Sequence, residues 1–364
     1  MLKRLHLRNF TVFENAEFDF GPGLNVIVGT NGTGKSHVLK AGYALLQNIS
    51  FNILEHKESK VGFLNMSSGS FVLDLDSKLM SVFQPIPFRD AELVKRNATL
   101  LKATLDAAVT YDGLQATKSI VLPFEQRTGA PVIVSKEADY TLNSFSDPVF
   151  IPAKEVLTMG WLLPLYDLRN LPVDQTYPDL LRLLGVSPLK ALKPGISRIT
   201  EQLQQLIGGK SEEEGGRFYL SAPDQPRMEM NMVAEGMRKF ATLYKLLANG
   251  TLTPETTLFW DEPEANLNPA LLKEMAAVLT ELARAGFQII LATHSLFLLK
   301  ELHILSQKEK TAVRYFGLSA EAGGATQVAT ADSLTDLPNL VALDVEMAQS
   351  DTFLDVLNQA DANV

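Results

Sequence analysis

The chain has 364 residues, of which 46% are apolar and 21% charged, a balance typical of globular proteins that fold as two or three packed units. It contains no cysteine, which excludes disulfides, thiolate zinc sites and thiol nucleophiles, and no run of roughly 20 apolar residues, which excludes a membrane helix. A net charge of -9 excludes a protein whose whole surface attracts nucleic acid, so any contact with DNA has to be local. The N-terminal segment lacks the apolar core of a secretion signal, and we therefore expect a cytoplasmic protein with no membrane partner.

The N-terminal part of the chain predicts three strands and a helix. Residues 2–10 and 16–20 alternate between polar and apolar side chains, whereas Leu24–Val28 is a continuous apolar run. Such runs are typical of strands that are buried on both faces. Helical spacing then extends from Ser36 to Leu46 after a glycine-rich turn. We expect these elements to lie in the core of the fold.

The middle of the chain has a different character. Residues 51–220 show no repeat, and their many prolines exclude a long uninterrupted helix. One amphipathic helix over residues 196–206 ends at Gly208 and Gly209, and the polar segment 210–216 predicts a turn before the strand-like run 217–220. We interpret residues 51–220 as an inserted α+β lobe.

A second group of core elements follows this lobe. The apolar runs 256–260 and 287–293 flank Pro269–Arg284, whose apolar positions recur at helical spacing. We expect the two runs to be neighbouring strands of one parallel sheet that are joined by this helix.

The last part of the chain is acidic. No Lys or Arg follows Arg314, so this tail is not expected to contact DNA. Its apolar segments, residues 337–347 and 353–357, are suited either to docking a partner or to packing on the protein's own core, and the sequence leaves both alternatives open.

The strongest motif lies between the third strand and the following helix. It consists of Gly29, Thr30, Asn31, Gly32, Thr33, Gly34, Lys35 and Ser36, followed by His37, and matches GxxxxGK[ST] in the expected context. Glycines let backbone N–H groups curl around phosphate oxygens, and the start of the helix presents its positive end to them. Lys35 is expected to reach the β- and γ-phosphates of ATP, and Ser36 to bind Mg²⁺. We therefore predict a phosphate-binding loop, the P-loop.

Two acidic residues follow the apolar run 256–260. Asp261 is expected at the carboxyl edge of the sheet, where it would bind Mg²⁺ if its strand lies beside that of the P-loop. Glu262 is then placed to accept a proton from the water that attacks the γ-phosphate. His294 ends the next strand, and its imidazole can contact the γ-phosphate. We predict that Glu262, His294 and Lys35 are catalytic residues of an ATPase.

These segments together resemble a known family. The opening LHLRNF, the loop GLNVIVGTNGTGKS, the segment FWDEPEANLNP and the histidine of LATHS look like the ABC-class ATPase heads of the SMC, RecF and OLD-type group. The resemblance covers residues 1–50 and about 228–300. It implies an α/β fold, that of a P-loop NTPase of ABC-ATPase head type, and identifies Ala265–Pro269 as the D-loop, which crosses the interface between two heads.

The resemblance also divides the chain into four parts. Residues 1–50 would form the first part of the ATPase core, residues 51–220 the large inserted lobe, residues 221–310 the second part of the core, and residues 311–364 a short acidic C-terminal extension.

The family's signature segment is expected just before the second acidic strand, where this chain has Met232–Lys239. Ala234 stands where ABC transporters carry the serine that binds the γ-phosphate of the partner head. Gly236 can still offer backbone N–H groups at a helix start, and Arg238 can supply charge across the dimer as an arginine finger does.

The family's Q-loop residue, which senses Mg²⁺, has two candidates. One is Gln84 in SVFQPIP, and the other is the pair Lys154 and Glu155 in FIPAKEVL. Asp74 and Asp76 resemble the metal-binding DxD of a TOPRIM nuclease, but strict alternation places both on the wet face of an ordinary strand. We expect no nuclease activity in this chain.

The resemblance leads to a ranked set of functions. First stands a regulatory ATPase that dimerises through its heads on ATP and Mg²⁺, or forms a higher homo-oligomer, and controls a separate nuclease-type effector encoded nearby, as in two-component anti-phage defence systems. The alternative is a RecF/SMC-like DNA-repair ATPase that clamps DNA. A transporter ATPase and a scaffold that never hydrolyses ATP rank lower, because the signature is altered and because Glu262 is present.

Overall fold

The computed structural model describes residues 1–58, 77–84, 93, 102–111, 114–123, 132–135, 146–169, 171–321, 324–338 and 341–361. Its strands are β1 (Leu2–Phe10), β2 (Phe13–Asp19), β3 (Leu24–Gly29), β4 (Lys102–Tyr111), β5 (Leu114–Pro123), β6 (Val132–Ser135), β7 (Val149–Ile151), β8 (Lys210–Glu214), β9 (Arg217–Ser221), β10 (Met228–Glu229), β11 (Thr257–Asp261), β12 (Gln288–Thr293), β13 (Val313–Ser319) and β14 (Gln327–Ala331). The helices are α1 (Lys35–Glu58), α2 (77–83), α3 (Leu162–Arg169), α4 (Thr176–Leu184), α5 (Pro194–Ile207), α6 (Glu235–Ala248), α7 (Pro269–Arg284), α8 (Leu296–Glu309) and α9 (Val341–Asp361).

The central sheet has six strands in the order β14-β13-β3-β12-β11-β7. All neighbours in it are parallel except β13 and β14. The expected pairing of the two late apolar runs is confirmed, since β11 and β12 lie side by side in parallel and α7 joins them. However, β12 lies between β3 and β11, so the strand of the P-loop and the strand of Asp261 are not direct neighbours.

Helix α7 begins where its sequence predicts. The side chain of Asn268 accepts a hydrogen bond from the backbone N–H of Leu271 at 3.0 Å, and Pro269 occupies the first helical position. An asparagine cap followed by proline is a strong start signal, because the cap satisfies one of the free N–H groups and proline has none to satisfy. The helix therefore starts directly after the D-loop.

Alternate residues of the central sheet serve two hydrophobic layers. Val26 and Val28 of β3 pack with helices α4 to α8 on one face, whereas Ile27 faces α1 and the strands β1 and β2. Because every residue of β3 is buried, this strand carries no alternation of polar and apolar residues, as the sequence predicted. Because β3 and α1 are both packed in these layers, the two elements that flank the P-loop are held in place.

A second sheet covers the outer layer. It is antiparallel, with the order β2-β1-β4-β5-β6, and Gln288 of β12 links it to the central sheet. The Gln288 amide donates to the carbonyl oxygen of Leu2 at 2.7 Å and accepts from the N–H of Leu2 at 2.8 Å. A fully buried amide is costly unless it is hydrogen-bonded, and here both of its ends are.

Some elements differ from the sequence-based expectation. Residues 210–214, predicted as part of a polar turn, form strand β8, which pairs with β9 in a three-stranded sheet. Strand β7 lies inside the range expected as an inserted lobe, and β13 and β14 lie inside the expected C-terminal extension. Both ranges thus supply strands to the central sheet, while the four-part division itself stays a prediction.

The end of the chain combines a packed and an exposed part. Leu337 is buried in the main core, whereas α9 leaves Val345, Phe353, Leu354 and Val356 exposed. Within the described part of the chain, none of the helices has both the length and the apolar composition to cross a bilayer.

Candidate active site

The P-loop connects the end of β3 with the start of α1. Gly34 has a φ of +90°, and a Cβ atom there would lie 2.5 Å from Cγ2 of Val12, so only glycine fits. The hydroxyl of Thr33 donates to the carbonyl oxygen of Thr30 at 2.9 Å, which closes the turn. Asn31 and Gly32 at its tip are exposed. The loop is thus held at its base and open to solvent at its tip.

Lys35 lies at the base of this loop. Its Nζ donates to the carbonyl oxygens of Gly29 at 2.8 Å and Thr30 at 3.0 Å. Burial lowers the pKa of Lys35, and the carboxylates at the end of β11 oppose that shift, Glu262 most and then Asp261. The lysine therefore lies within electrostatic reach of the second predicted motif.

Ser36 and Asp261 are far apart in the sequence but lie close together in the fold, since the Ser36 hydroxyl opposes the rise in the pKa of Asp261. Oδ1 of Asp261 is buried and has no hydrogen-bond partner. Burial is the main cause that raises the pKa of Asp261. A hydroxyl and a carboxylate oxygen are ligands that Mg²⁺ prefers, and an unpartnered buried oxygen is a reason to expect one. These residues fit the ion.

Glu262 and His294 lie together at the adjacent strand ends. Oε1 of Glu262 is 3.3 Å from Nδ1 of His294, and their side chains are 31% and 49% exposed. The backbone N–H of Glu262 donates to the carbonyl oxygen of Ala292 at 2.9 Å, which ties the end of β11 to β12. A solvent-accessible carboxylate beside an imidazole can hold a water molecule and accept its proton.

Glu264 is a residue of this site that the sequence reasoning missed. Its Oε1 accepts from the hydroxyl of Thr293 at 2.6 Å and from the N–H of His294 at 3.0 Å, while its buried Oε2 has no partner. The carboxylate thereby fixes the backbone on which His294 stands. The available signal was a third acidic residue directly after Asp261-Glu262-Pro263.

The signature-like segment lies against the D-loop of the same chain. A Cβ atom at Gly236 would be 2.9 Å from Cδ2 of Leu267 and 3.1 Å from the carbonyl oxygen of Asn266. The side-chain amide of Asn266 donates to Oε1 of Glu235 at 2.8 Å. The close contact accounts for glycine at position 236 and joins the two segments that were expected to face a second head.

Arg238 has a different environment from the one expected of an arginine finger. Its NH1 is 3.1 Å from Oε2 of Glu155, and the two side chains are only 15% and 4% exposed. An arginine that reaches a partner has to be free at the surface, whereas this one neutralises a buried carboxylate of its own chain. The adjacent Lys239 is also buried and donates to the carbonyl oxygen of Glu262 at 2.8 Å.

The two Q-loop candidates lie in different places. Gln84 follows α2, which packs on α1 through the Lys40 ammonium, 3.1 Å from the carbonyl oxygen of Val82. The segment with Lys154 and Glu155 instead follows β7, which pairs in parallel with β11. Because carboxyl ends of parallel strands meet at one edge, this segment lies on the same edge as Asp261, which favours it over Gln84.

The remaining predicted residues have simpler placements. The ring of His37 packs on that of Phe83 with centroids 5.6 Å apart, and burial lowers the pKa of His37 to about 4. Asp74 and Asp76 lie outside the described residues. Among the residues that the structure describes, no group of three His, Asp or Glu side chains is arranged to hold a metal ion, so Mg²⁺ would rely on few protein ligands, water and phosphate.

Comparisons with known proteins match both halves of this site. A family model described as an AAA domain matches residues 4–46, and one described as "AAA domain, putative AbiEii toxin, Type IV TA system" matches residues 154–300. Among curated relatives, the DNA replication and repair protein RecF of Desulfitobacterium hafniense is 38% identical over 60 residues, which is 16% of either chain. RecF of Streptococcus uberis is 39% identical over 83 residues, covering 20% of this chain and 23% of the relative. The chain thus spans less than a quarter of the length of these relatives.

Solved structures match over most of the chain. The SMC head domain from Thermotoga maritima has a TM-score of 0.51 at 14% identity and covers 91% of this chain and 98% of its own. An SMC head bound to the C-terminal winged-helix domain of ScpA has a TM-score of 0.54 at 15% identity, covering 92% and 98%. At such identities the likeness concerns the fold, which confirms the expected P-loop head. With the motifs in order on this fold, the two AAA-domain matches, the RecF relatives and the SMC head structures together support an SMC/RecF-like ATPase of the ABC class.

Proposed function

We propose that this chain binds ATP with Mg²⁺, hydrolyses it, and uses the ATP-bound state to close two heads face to face and control a separate protein. The observation that carries the proposal is the closeness of the Ser36 hydroxyl to the Asp261 carboxylate, whose Oδ1 is buried without a hydrogen-bond partner. This closeness brings the P-loop to the acidic strand end, where Glu262 and His294 also lie. The AAA-domain matches and the RecF relatives support nucleotide hydrolysis in general terms.

Each side chain has a role in this proposal. When ATP binds, the Lys35 ammonium leaves the carbonyl oxygens of the loop and donates to oxygens of the β- and γ-phosphates. Hydrogen bonds to these charged oxygens are stronger than those to carbonyl oxygens. Glu262 accepts the proton of the attacking water while the bond from the γ-phosphorus to the β-γ bridging oxygen breaks, which leaves ADP and phosphate. His294 contacts the γ-phosphate from the neighbouring strand. Mg²⁺, held by Ser36 and Asp261, would neutralise phosphate charge.

A second head would complete the pocket. Gly236 and the D-loop form one surface in this chain, and in the proposed dimer that surface faces the phosphates of the partner. Because Arg238 is paired with Glu155 and Gly236 is buried against the D-loop, we assign the contact across the interface to the backbone at the start of α6, where Ala234 is exposed, rather than to an arginine finger.

The controlled protein is proposed to be a nuclease-type effector encoded nearby in an anti-phage defence system. One finding fits a role in defence, and the other fits a head that binds a separate protein. One matching family model describes a putative AbiEii toxin of a type IV toxin–antitoxin system, and one similar head was solved with a bound ScpA domain. Co-purification with the product of the neighbouring gene, in ATP and in ADP, tests this part directly.

The central experiment is the variant Glu262→Gln. An amide orients water but cannot accept its proton, so we expect kcat to fall by about 100-fold to 10,000-fold, with ATP binding retained. The variant should also remain dimeric in ATP, as measured by light scattering, while the parent returns to monomer after turnover. Parental kcat in Glu262→Gln would refute the assignment of the general base.

A DNA clamp is the second candidate, and the RecF matches favour it. The excess of acidic residues and the tail without Lys or Arg stand against it. Affinity for duplex DNA, measured with ATP across a range of salt concentrations, distinguishes the two. A steep fall of affinity with salt would support the clamp, because each neutralised phosphate releases counterions.

A further inference from the structure

Helix α6 contacts the acidic strand end through a lysine that the sequence motifs do not include. Lys239 is only 3% exposed, and its Nζ lies 2.8 Å from the carbonyl oxygen of Glu262. The helix that carries it begins at Glu235, next to the D-loop contact of Gly236. Lys239 therefore connects the segment expected to face a second head with the backbone of the proposed general base.

The backbone of Glu262 requires such support. Its φ is +46°, which lies in the left-handed region that residues with a side chain rarely adopt. Its N–H donates to the carbonyl oxygen of Ala292, and its own carbonyl oxygen accepts from the N–H of Ala265 at 3.1 Å and from Lys239. An unusual conformation persists only when its surroundings hold it, and here a buried charge is one of the three bonds.

The chemistry of Lys239 indicates more than packing. Burial lowers the pKa of Lys239, and the carboxylates of Glu264, Glu235, Glu262 and Asp261 oppose that shift. An apolar side chain would fill the same space without the cost of removing an ammonium group from water. The ammonium is directed to a carbonyl oxygen rather than to any of these carboxylates.

We propose that Lys239 is a positioning residue that holds the left-handed backbone of Glu262, keeps its carboxylate aimed at the attacking water, and couples the position of α6 to hydrolysis. This inference rests on the proposed function, in which Glu262 is the general base. It predicts that loss of Lys239 slows the chemical step without weakening the binding of ATP.

The test compares two buried lysines of the same helix. Lys245 is 2% exposed and lies 5.8 Å from the ring centroid of Phe218, away from the candidate site. We expect Lys239→Met to lower kcat about 100-fold, the effect of a misplaced catalytic group, with the Kd for ATP unchanged. Lys245→Met should leave both values at the parental level, and thermal unfolding reports the stability of each variant.

A second background separates positioning from a general defect. If Lys239 acts through Glu262, Lys239→Met should cause no further loss of kcat in a Glu262→Gln chain. Should Lys239→Met fail to fold, Lys239→Gln keeps a polar donor with shorter reach, and the same fall in kcat at unchanged Kd is expected.

The outcomes distinguish the two proposals. Parental kcat in folded Lys239→Met or Lys239→Gln would overturn the role of Lys239 while leaving Glu262 as the base. Equal losses in Lys239→Met and Lys245→Met, or a further loss in the Glu262→Gln background, would also overturn it, because the effect would then be general packing. If Glu262→Gln hydrolyses ATP at the parental rate, the proposed function fails and this inference fails with it.

Discussion

The candidate site and the contact between α1, α2 and α4 both bury lysines near carboxylates, but they pair these groups differently. At the contact, which we call the charge cluster and define by Tyr43, Lys78, Asp179 and Arg182, the groups meet directly. Nζ of Lys78 lies 2.6 Å from Oδ2 of Asp179, the hydroxyl of Tyr43 donates to the same oxygen at 2.8 Å, and NH1 of Arg182 is 3.4 Å from Oδ1. The charge cluster therefore satisfies its own charges.

At the candidate site the cations bind carbonyl oxygens instead. Lys35 donates to its own loop and Lys239 to Glu262, while Oδ1 of Asp261 and Oε2 of Glu264 are buried without a hydrogen-bond partner. Charges that neutralise one another contribute to folding, whereas charges that are held apart are available to a ligand. The comparison indicates that the pair of Lys78 and Asp179 is structural. At the candidate site, by contrast, Lys35 can bind a triphosphate and the carboxylate of Asp261 can bind its Mg²⁺.

The largest effect is expected at the charge cluster. Asp179→Ala leaves the buried Lys78 without its partner, and we expect it to lower the free energy of unfolding by about 4 kcal/mol. Its kcat and Kd for ATP should stay parental at temperatures where it is folded. Urea unfolding and ATP titration measure both. The matched control is Asp167→Ala, which breaks an exposed pair with Arg182 and should cost less than about 1 kcal/mol.

Arg238→Ala tests the pair that borders the site. Without the guanidinium, the carboxylate of Glu155 is buried and unpaired, and we expect a loss of about 3 kcal/mol in the free energy of unfolding at neutral pH. The double variant Arg238→Ala/Glu155→Gln should recover most of this loss. A parental free energy of unfolding in Arg238→Ala would show that the arginine is not structural and would return it to the interface.

The pH dependence of Arg238→Ala follows from the same pair. Burial raises the pKa of Glu155 and Arg238 opposes that shift, so the variant should raise the pKa further. A carboxyl with a raised pKa in the folded state binds more protons there, so stability falls as pH rises through that pKa. The deficit relative to the parent should therefore shrink below the ordinary pKa of glutamate and grow toward neutral pH, as measured by unfolding at several pH values.

Lys35→Ala addresses the candidate site itself. We expect the Kd for ATP to rise about 100-fold, because charged hydrogen bonds to the phosphates are lost. The free energy of unfolding should change little, because the variant also removes the cost of a buried ammonium. A folded variant that binds ATP as tightly as the parent would exclude Lys35 from the site. A variant that loses stability but still binds ATP would show that Lys35 has a structural role, like the lysine of the charge cluster.

His294→Ala should have the smallest effect. We expect kcat to fall about tenfold, the value of one hydrogen bond to the γ-phosphate, while the Kd for ATP remains close to parental. Single-turnover kinetics measure the chemical step alone. Unchanged single-turnover rates would remove His294 from the mechanism and leave it as a support for Glu262.

The regular elements around the P-loop were predictable because their patterns are local. The continuous apolar run of β3, the capped start of α7 and the run of β12 each reflect one burial environment along the whole element. Strand β8 was missed because its residues are nearly all charged, and it is a strand only through its pairing with β9. The three residues of β7 are too few to carry a pattern.

The sequence predicted the motif residues of the site but not the side chains of α6 that contact them. The closeness of Ser36 and Asp261 was predictable, because the P-loop motif and the acidic residue at a strand end both indicate ligands of one Mg²⁺. The pairing of Arg238 with Glu155 and that of Lys239 with Glu262 depend on how α6 packs against the edge of the sheet. One local signal existed, since Lys239 lies on the buried face of α6 beside Phe240, where a lysine needs a partner.

The contacts of Gly236 and Glu235 with the D-loop have a consequence for any twofold assembly of this chain. The two segments contact each other and form one block, and in the proposed face-to-face dimer each block would lie opposite the other subunit's nucleotide. A change in the block would then affect the neighbour's pocket rather than its own. A mixed dimer of one parent and one variant chain would consequently contain one impaired and one intact pocket. It would retain half of the ATP turnover if the two pockets hydrolyse ATP independently.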